Sequence, residues 1–137
     1  AYSSIKLLAA TMQQLSSSER IKAIRVNYHS TVSDVIDAMI QVLINVLDED
    51  ESSNVRLAAV EALAKYIELD LVRAALIKRL SQEKDGGVKL SIITTLSQRQ
   101  DQEVKSTLEN IVNDDSQEKF VIDEAHMQLI RFEAIDI

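Results

Sequence analysis

Apolar residues recur along most of this chain at a spacing that fits one face of a helix. Val55, Ala59, Ala62, Leu63 and Tyr66 fall at i, i+4, i+7, i+8 and i+11, and Val72, Leu76 and Leu80 step by four. Both patterns match a period of 3.6 residues rather than the alternation of a strand. The pattern itself repeats. Val88 stands 33 positions after Val55, and Val121 a further 33 positions on; Ala59, Ile92 and Ala125 keep step, as do Leu63, Leu96 and Leu129. The preceding segment repeats too: Met39, Leu43 and Leu47 map by 33 onto Val72, Leu76 and Leu80, and by a further 32 onto Val104, Leu108 and Val112. A near-constant period of this length marks stacked supersecondary units.

Breaks in the pattern coincide with residues that cap helix N-termini. They fall at Asp48–Ser53, Asp70, Asp85–Gly87, Asp101 and Asp114–Ser116, where Asp or Ser oxygens can accept bonds from unpaired backbone N–H groups. The pattern predicts eight helices, at 4–15, 18–29, 32–48, 53–67, 70–82, 86–99, 101–113 and 117–133, in four antiparallel pairs. The expected fold is all-α, an α-solenoid forming a single domain over 1–137, with clear repeats over 32–133 and a divergent pair over 1–31. Helix 53–67 carries a second apolar stripe, Leu57, Val60 and Ala64, which a lone hairpin would leave in water; stacking against the next repeat buries it. Alanines at 58, 59 and 62 permit close helix approach. The tail Phe132–Ile137 carries Phe132, Ile135 and Ile137 as apolar residues and is expected to fold back over the last pair.

Composition sharpens this picture. The 137 residues are 46% hydrophobic and include no Pro, Trp or Cys and only two Gly, which suits long helices joined by short polar turns. The absence of Cys excludes disulfides and thiolate metal sites. A net charge of −7 argues against nucleic-acid binding. The charge is uneven: residues 1–30 carry Lys6, Arg20, Lys22 and Arg25 against Glu19. No apolar run approaches the ~20 residues that cross a bilayer. The chain begins with Ala1 and reads as a piece of something longer.

Leu47-Asp48 through Asn54-Val55-Arg56-Leu57-Ala58-Ala59-Val60-Glu61-Ala62-Leu63 resembles a HEAT repeat. The resemblance implies an ion pair across the turn within each helix pair, here Arg56 with Asp48 or Asp50. The Arg position becomes Lys89 and then Ile122, so the ladder is not expected to run through the chain. Ser18–Ile24 and Val26-Asn27-Tyr28, followed by a helix and the 54–63 motif, resemble more narrowly a bacterial group of anti-sigma factors. In that group a HEAT-repeat region follows a membrane helix and a small zinc-finger domain. This implies an extracytoplasmic sensory region, tethered to the inner membrane through a preceding segment, in preference to a cytoplasmic protein.

Side chains that could carry chemistry are sparse. His29 and His126 lie far apart and lack His or Cys partners, whereas zinc needs three or four convergent ligands. Asp48–Glu51 lacks the central Gly and final Glu of a calcium loop. No nucleophile or phosphate-loop motif occurs, and the serines at 16–18 and 52–53 precede helices, where they cap. No cofactor is expected. Arg20, Lys22 and Arg25 could face anionic lipid headgroups or simply water. The second helices of such pairs usually line a concave face, and on them Glu61, Thr94 and Met127, with Lys65, Gln98 and Arg131, form two mixed rows suited to a protein or peptide partner. The reading is a non-catalytic protein-interaction module. A bilin-lyase-like enzyme and a structural spacer are the alternatives.

Overall fold

Helix starts coincide with side-chain oxygens. In the computed structural model, which describes residues 13–27 and 33–135, Ser16 precedes α1 (Ser17–Asn27). Its hydroxyl accepts from Glu19 N at 3.2 Å, while the Glu19 carboxylate accepts from Ser16 N at 3.3 Å and from the Ser16 hydroxyl at 2.7 Å. This reciprocal box satisfies free donors at the helix end. α2 is Ser33–Glu49. Ser52 caps α3 (Ser53–Leu63) through Val55 N, Asp85 caps α5 (Gly86–Leu96) through Val88 N, and Asp101 caps α6 (Gln102–Val112) through Val104 N. α4 (Asp70–Gln82) starts without a side-chain cap, and α7 is Lys119–Ile135. Among the described residues there is no strand. The predicted helix 4–15 and His29 lie almost wholly outside the described residues.

The Ser16 contacts hold the Glu19 carboxyl below its ordinary range. Because the folded value is depressed, the stabilisation is present above the ordinary glutamate pKa and is lost as pH falls through the folded value. Ser16→Ala is expected to move the Glu19 titration upward in an NMR pH series. An unmoved midpoint would show that the hydroxyl is not its main partner.

The chain forms two compact units, Ala1–Tyr66 and Ile67–Ile137. In the first, α2 packs on α3 and α1 packs on α3. The core holds Ile24 of α1, Met39, Leu43 and Leu47 of α2, and Val55, Ala59, Val60 and Leu63 of α3. On the second stripe Val60 is fully buried, while Leu57 and Ala64 are half-buried. In the second unit α4 pairs with α5 and α6 with α7, and α5 also packs on α7. Only short turns join the paired helices, which makes them antiparallel neighbours. Gly86 lets the Phe120 ring lie close; a Cβ there would collide with it.

The 33-residue pattern is buried in most copies. Val55, Val88 and Val121 are at most 1% exposed, and Ala59, Ile92 and Ala125 are at 0%. The last pair departs from it. Val112 and Leu129 are only half-buried, while Ile111 and Gln128 take the buried places. The Gln128 amide donates to the Glu124 carboxylate at 3.0 Å, so its polar end is satisfied under cover.

Several helix ends differ from the periodic reading. α3 stops at Leu63 and a 3-10 turn covers Ala64–Tyr66. α5 stops at Leu96, where the Ser97 hydroxyl takes the Ile93 carbonyl at 2.7 Å. α7 runs on to Ile135. Phe132 is therefore not left over after the last helix. It extends the stripe Val121, Ala125, Gln128 and is 6% exposed. Residues 136–137 lie outside the described residues.

Candidate functional site

The turn inside each pair is built on a carboxylate. Asp50, between α2 and α3, accepts from Ser52 N at 2.9 Å. Glu83, 33 positions on, accepts from Lys84 N at 3.0 Å and Asp85 N at 2.9 Å. Asp114, between α6 and α7, accepts from Ser116 N at 3.0 Å and the Ser116 hydroxyl at 2.6 Å. These bonds hold the Asp114 carboxyl below its usual range, the hydroxyl contributing most and Gln117 and Lys89 adding to it. Each carboxylate fixes the backbone that enters a second helix.

Two of these turns carry buried ion pairs. Arg20 of α1 reaches Asp50: Nη2 donates to Oδ1 at 2.9 Å, and Nε lies 2.6 Å from Oδ2. The Nε contact is ionic rather than a well-aligned hydrogen bond. Arg20 Nη1 also donates to the Leu15 carbonyl at 2.6 Å. Both side chains are at most 10% exposed. Arg79 Nε donates to Glu83 Oε1 at 3.0 Å, and the Glu83 side chain is wholly buried. Arg20 is therefore not a lipid-facing cation: it is sequestered in the 50–52 turn. Lys22 is exposed, and the Arg25 side chain lies outside the described residues. Arg56 meets Asp50 through the main chain, Nη1 donating to the carbonyl at 2.8 Å. Lys89, at the next Arg position, reaches forward to Gln117 Oε1 at 2.9 Å.

At the opposite end of the second unit, Arg73 Nη1 donates to the Ile67 carbonyl at 2.7 Å. Arg73 also pairs with Asp70, and its Nε lies 3.6 Å from Asp101. Arg99 donates to Glu68 at 2.5 Å. These arginines tie successive pairs together at their turns.

The two rows of candidate binding residues are all exposed: Glu61 and Lys65 in the first unit, and Thr94, Gln98, Met127 and Arg131 in the second. The first row, Glu61, Thr94 and Met127, sits on α3, α5 and α7. The second does not share one geometry. Lys65 lies in the 3-10 turn and Gln98 beyond the end of α5, while Arg131 is within α7.

Within the second unit α4 and α6 flank an open cleft of about 280 Å³, floored by Ile77, Leu80 and Ile111 and edged by Ser81, Asn110 and Asp114. The Ser81 hydroxyl donates to the Lys78 carbonyl at 2.7 Å. Thr107, also at the cleft, donates to the Glu103 carbonyl at 2.8 Å. Both hydroxyls are thus directed into their own helices. Sequence reading passed over this cleft, since it depends on how two first helices meet. Among the described residues no group of three or more His, Asp or Glu could hold a metal ion, and no helix is long and apolar enough to cross a membrane.

A family model described as HEAT repeats matches residues 40–129. No curated protein and no solved structure matches the chain.

Proposed function

The chain belongs to the HEAT-repeat family, and from that premise we propose that it is a non-catalytic module that binds a protein or peptide on the exposed row of its second helices. Such repeats generally serve as protein-interaction scaffolds. The observation that carries the proposal is the exposure of Glu61, Thr94 and Met127 at one repeat position, while their neighbours Ala62, Thr95 and Gln128 are buried. The position is outward in all three copies, once in the first unit and twice in the second. Its acid, hydroxyl and thioether suit mixed contacts with a polypeptide. Lys65, Gln98 and Arg131 supply polar groups at the margin. The same reading keeps Arg56 and Asp48 as a structural pair that holds the first turn.

The test is selection from a random peptide display library. The folded chain is expected to enrich a family of related peptides, and Glu61→Arg with Thr94→Arg to abolish the enrichment without changing the melting temperature. Enrichment unaffected by both changes would contradict the proposal.

We also propose the narrower role of the sensory extracytoplasmic part of a membrane-anchored anti-sigma regulator. Its support is that the two segments behind that resemblance belong to one unit, with α1 packed on α3 and Arg20 bound to Asp50. Alkaline phosphatase fused to this region of the full-length protein should then be active in the periplasm. Activity of a β-galactosidase fusion instead would place the region in the cytoplasm and remove this role.

A further inference from the structure

The outward face of α7 differs from that of the other second helices in being apolar. Phe120, Met127 and Ile130 are 44%, 52% and 63% exposed. At 100° per residue, Phe120, Met127 and Ala134 lie at seven-residue steps along the centre of one face. Asp123 and Ile130 flank it on one side, Glu124 and Arg131 on the other. Met127 occupies the position of Glu61 and Thr94, which is exposed in every copy. Ile130 takes the place of Ala64 and Ser97, which are half-buried, and His126, in the place of Val60 and Ile93, is exposed. The stripe is therefore centred on the recognition position at Met127 and reaches onto the neighbouring flank through Ile130.

The residues around Met127 form a self-complementary set. Four positions before it stands Asp123 and four after it Arg131; seven before it stands Phe120 and seven after it Ala134. If a second α7 lies antiparallel with its Met127 against the first, each Asp123 meets an Arg131 of the other copy. Each Phe120 ring meets a small Ala134. Asp123 is 59% exposed on its side chain and is held only by Lys119 on the same helix, at 2.8 Å. It is thus open to a second cation. Seven-residue spacing is also the spacing that two helices need to stay in contact along their length.

We infer that the α7 face binds a second copy of this chain, in an antiparallel helix pair centred on Met127. The inference rests on the recognition-face reading and names the partner for its α7 portion. The contact is one helix face wide, so the association is expected to be weak, about micromolar, and fast to exchange.

The chain has no Cys, which allows a direct test of register. Met127→Cys should form a disulfide-linked dimer under diamide, because its two thiols meet on the symmetry axis; Ser106→Cys, exposed on α6, should not. Phe120→Cys mixed with Ala134→Cys should cross-link, and neither alone should. In sedimentation experiments on the Cys-free chain, Asp123→Arg and Arg131→Asp should each weaken self-association about tenfold or more, and the double change should restore most of it. Circular dichroism checks that each variant is folded. A chain that stays monomeric at all concentrations, a Met127→Cys yield no higher than that of Ser106→Cys, or a double change no better than the single ones would overturn the inference. Peptide enrichment that still depends on Glu61 and Thr94 would, in that event, leave the broader function standing.

Discussion

Replacing Asp50 with Ala is expected to destabilise the first unit by about 3–5 kcal/mol, the cost of leaving one member of a buried ion pair uncompensated. Asp50 carries more than its bond to Arg20, since it also accepts from Ser52 N in the turn that starts α3. Arg20 would keep its bond to the Leu15 carbonyl, which favours the lower end of that range. The guanidinium would nevertheless sit under cover with no counter-charge. A double change, Arg20→Met with Asp50→Leu, should recover much of the loss, because desolvation offsets most of the Coulombic gain of such pairs. Urea unfolding of the three proteins checks this. A midpoint unchanged by Asp50→Ala would mean that the pair is solvated and carries no structural role.

The second large effect belongs to Leu63. It is fully buried on α3 among side chains that are themselves core, and Leu63→Ala should cost about 2–5 kcal/mol through lost burial and the cavity left behind. The same change at Leu129 should cost clearly less. The repeat pattern makes the two positions equivalent, but Leu129 is only half-buried, so water already reaches part of its side chain and truncation leaves a smaller void. Equal losses at the two sites would show that the end pair is packed as tightly as the others.

That contrast marks how far the sequence could be read. The 33-residue step located Val55, Val88 and Val121 and the three residues of the Ala59 row because apolar side chains at helical spacing have one low-energy place to go. It failed at the last pair. A period assigns Leu129 to the core on polarity alone, whereas geometry buries Gln128, which its bond to Glu124 makes tolerable. Helix ends were missed for a similar reason. Periodicity continues through Tyr66, but the backbone tightens into a 3-10 turn at Ala64–Tyr66, and Ser97 closes α5 through its hydroxyl. The Lys65 and Gln98 row lost its regularity with those ends.

Buried polar groups were legible in part. Adding 33 to Asp50 gives Glu83, so the second turn carboxylate was available to the same arithmetic as the core. Arg20 was not. It follows no repeat offset from Arg56, and its burial depends on where α1 docks against α3, which pattern alone does not specify. The basic character of residues 1–30 therefore suggested a charged surface where one of the cations is internal. For the candidate site, the sequence supplied Glu61, Thr94 and Met127 by phase. The self-complementary stripe around Met127 became visible only once Phe120 and Ile130 were seen to be exposed.

That the second helices present the recognition surface is tested by site-specific photo-crosslinking in the cell. A photoreactive phenylalanine would be placed at Glu61 and at Thr94, and for comparison at Glu103 and Ser106, which are exposed on α6. This placement of the recognition surface requires discrete cross-linked protein adducts from Glu61 and Thr94 and none from Glu103 and Ser106. Adducts arising only from the α6 positions, or equally from both sets, would contradict it.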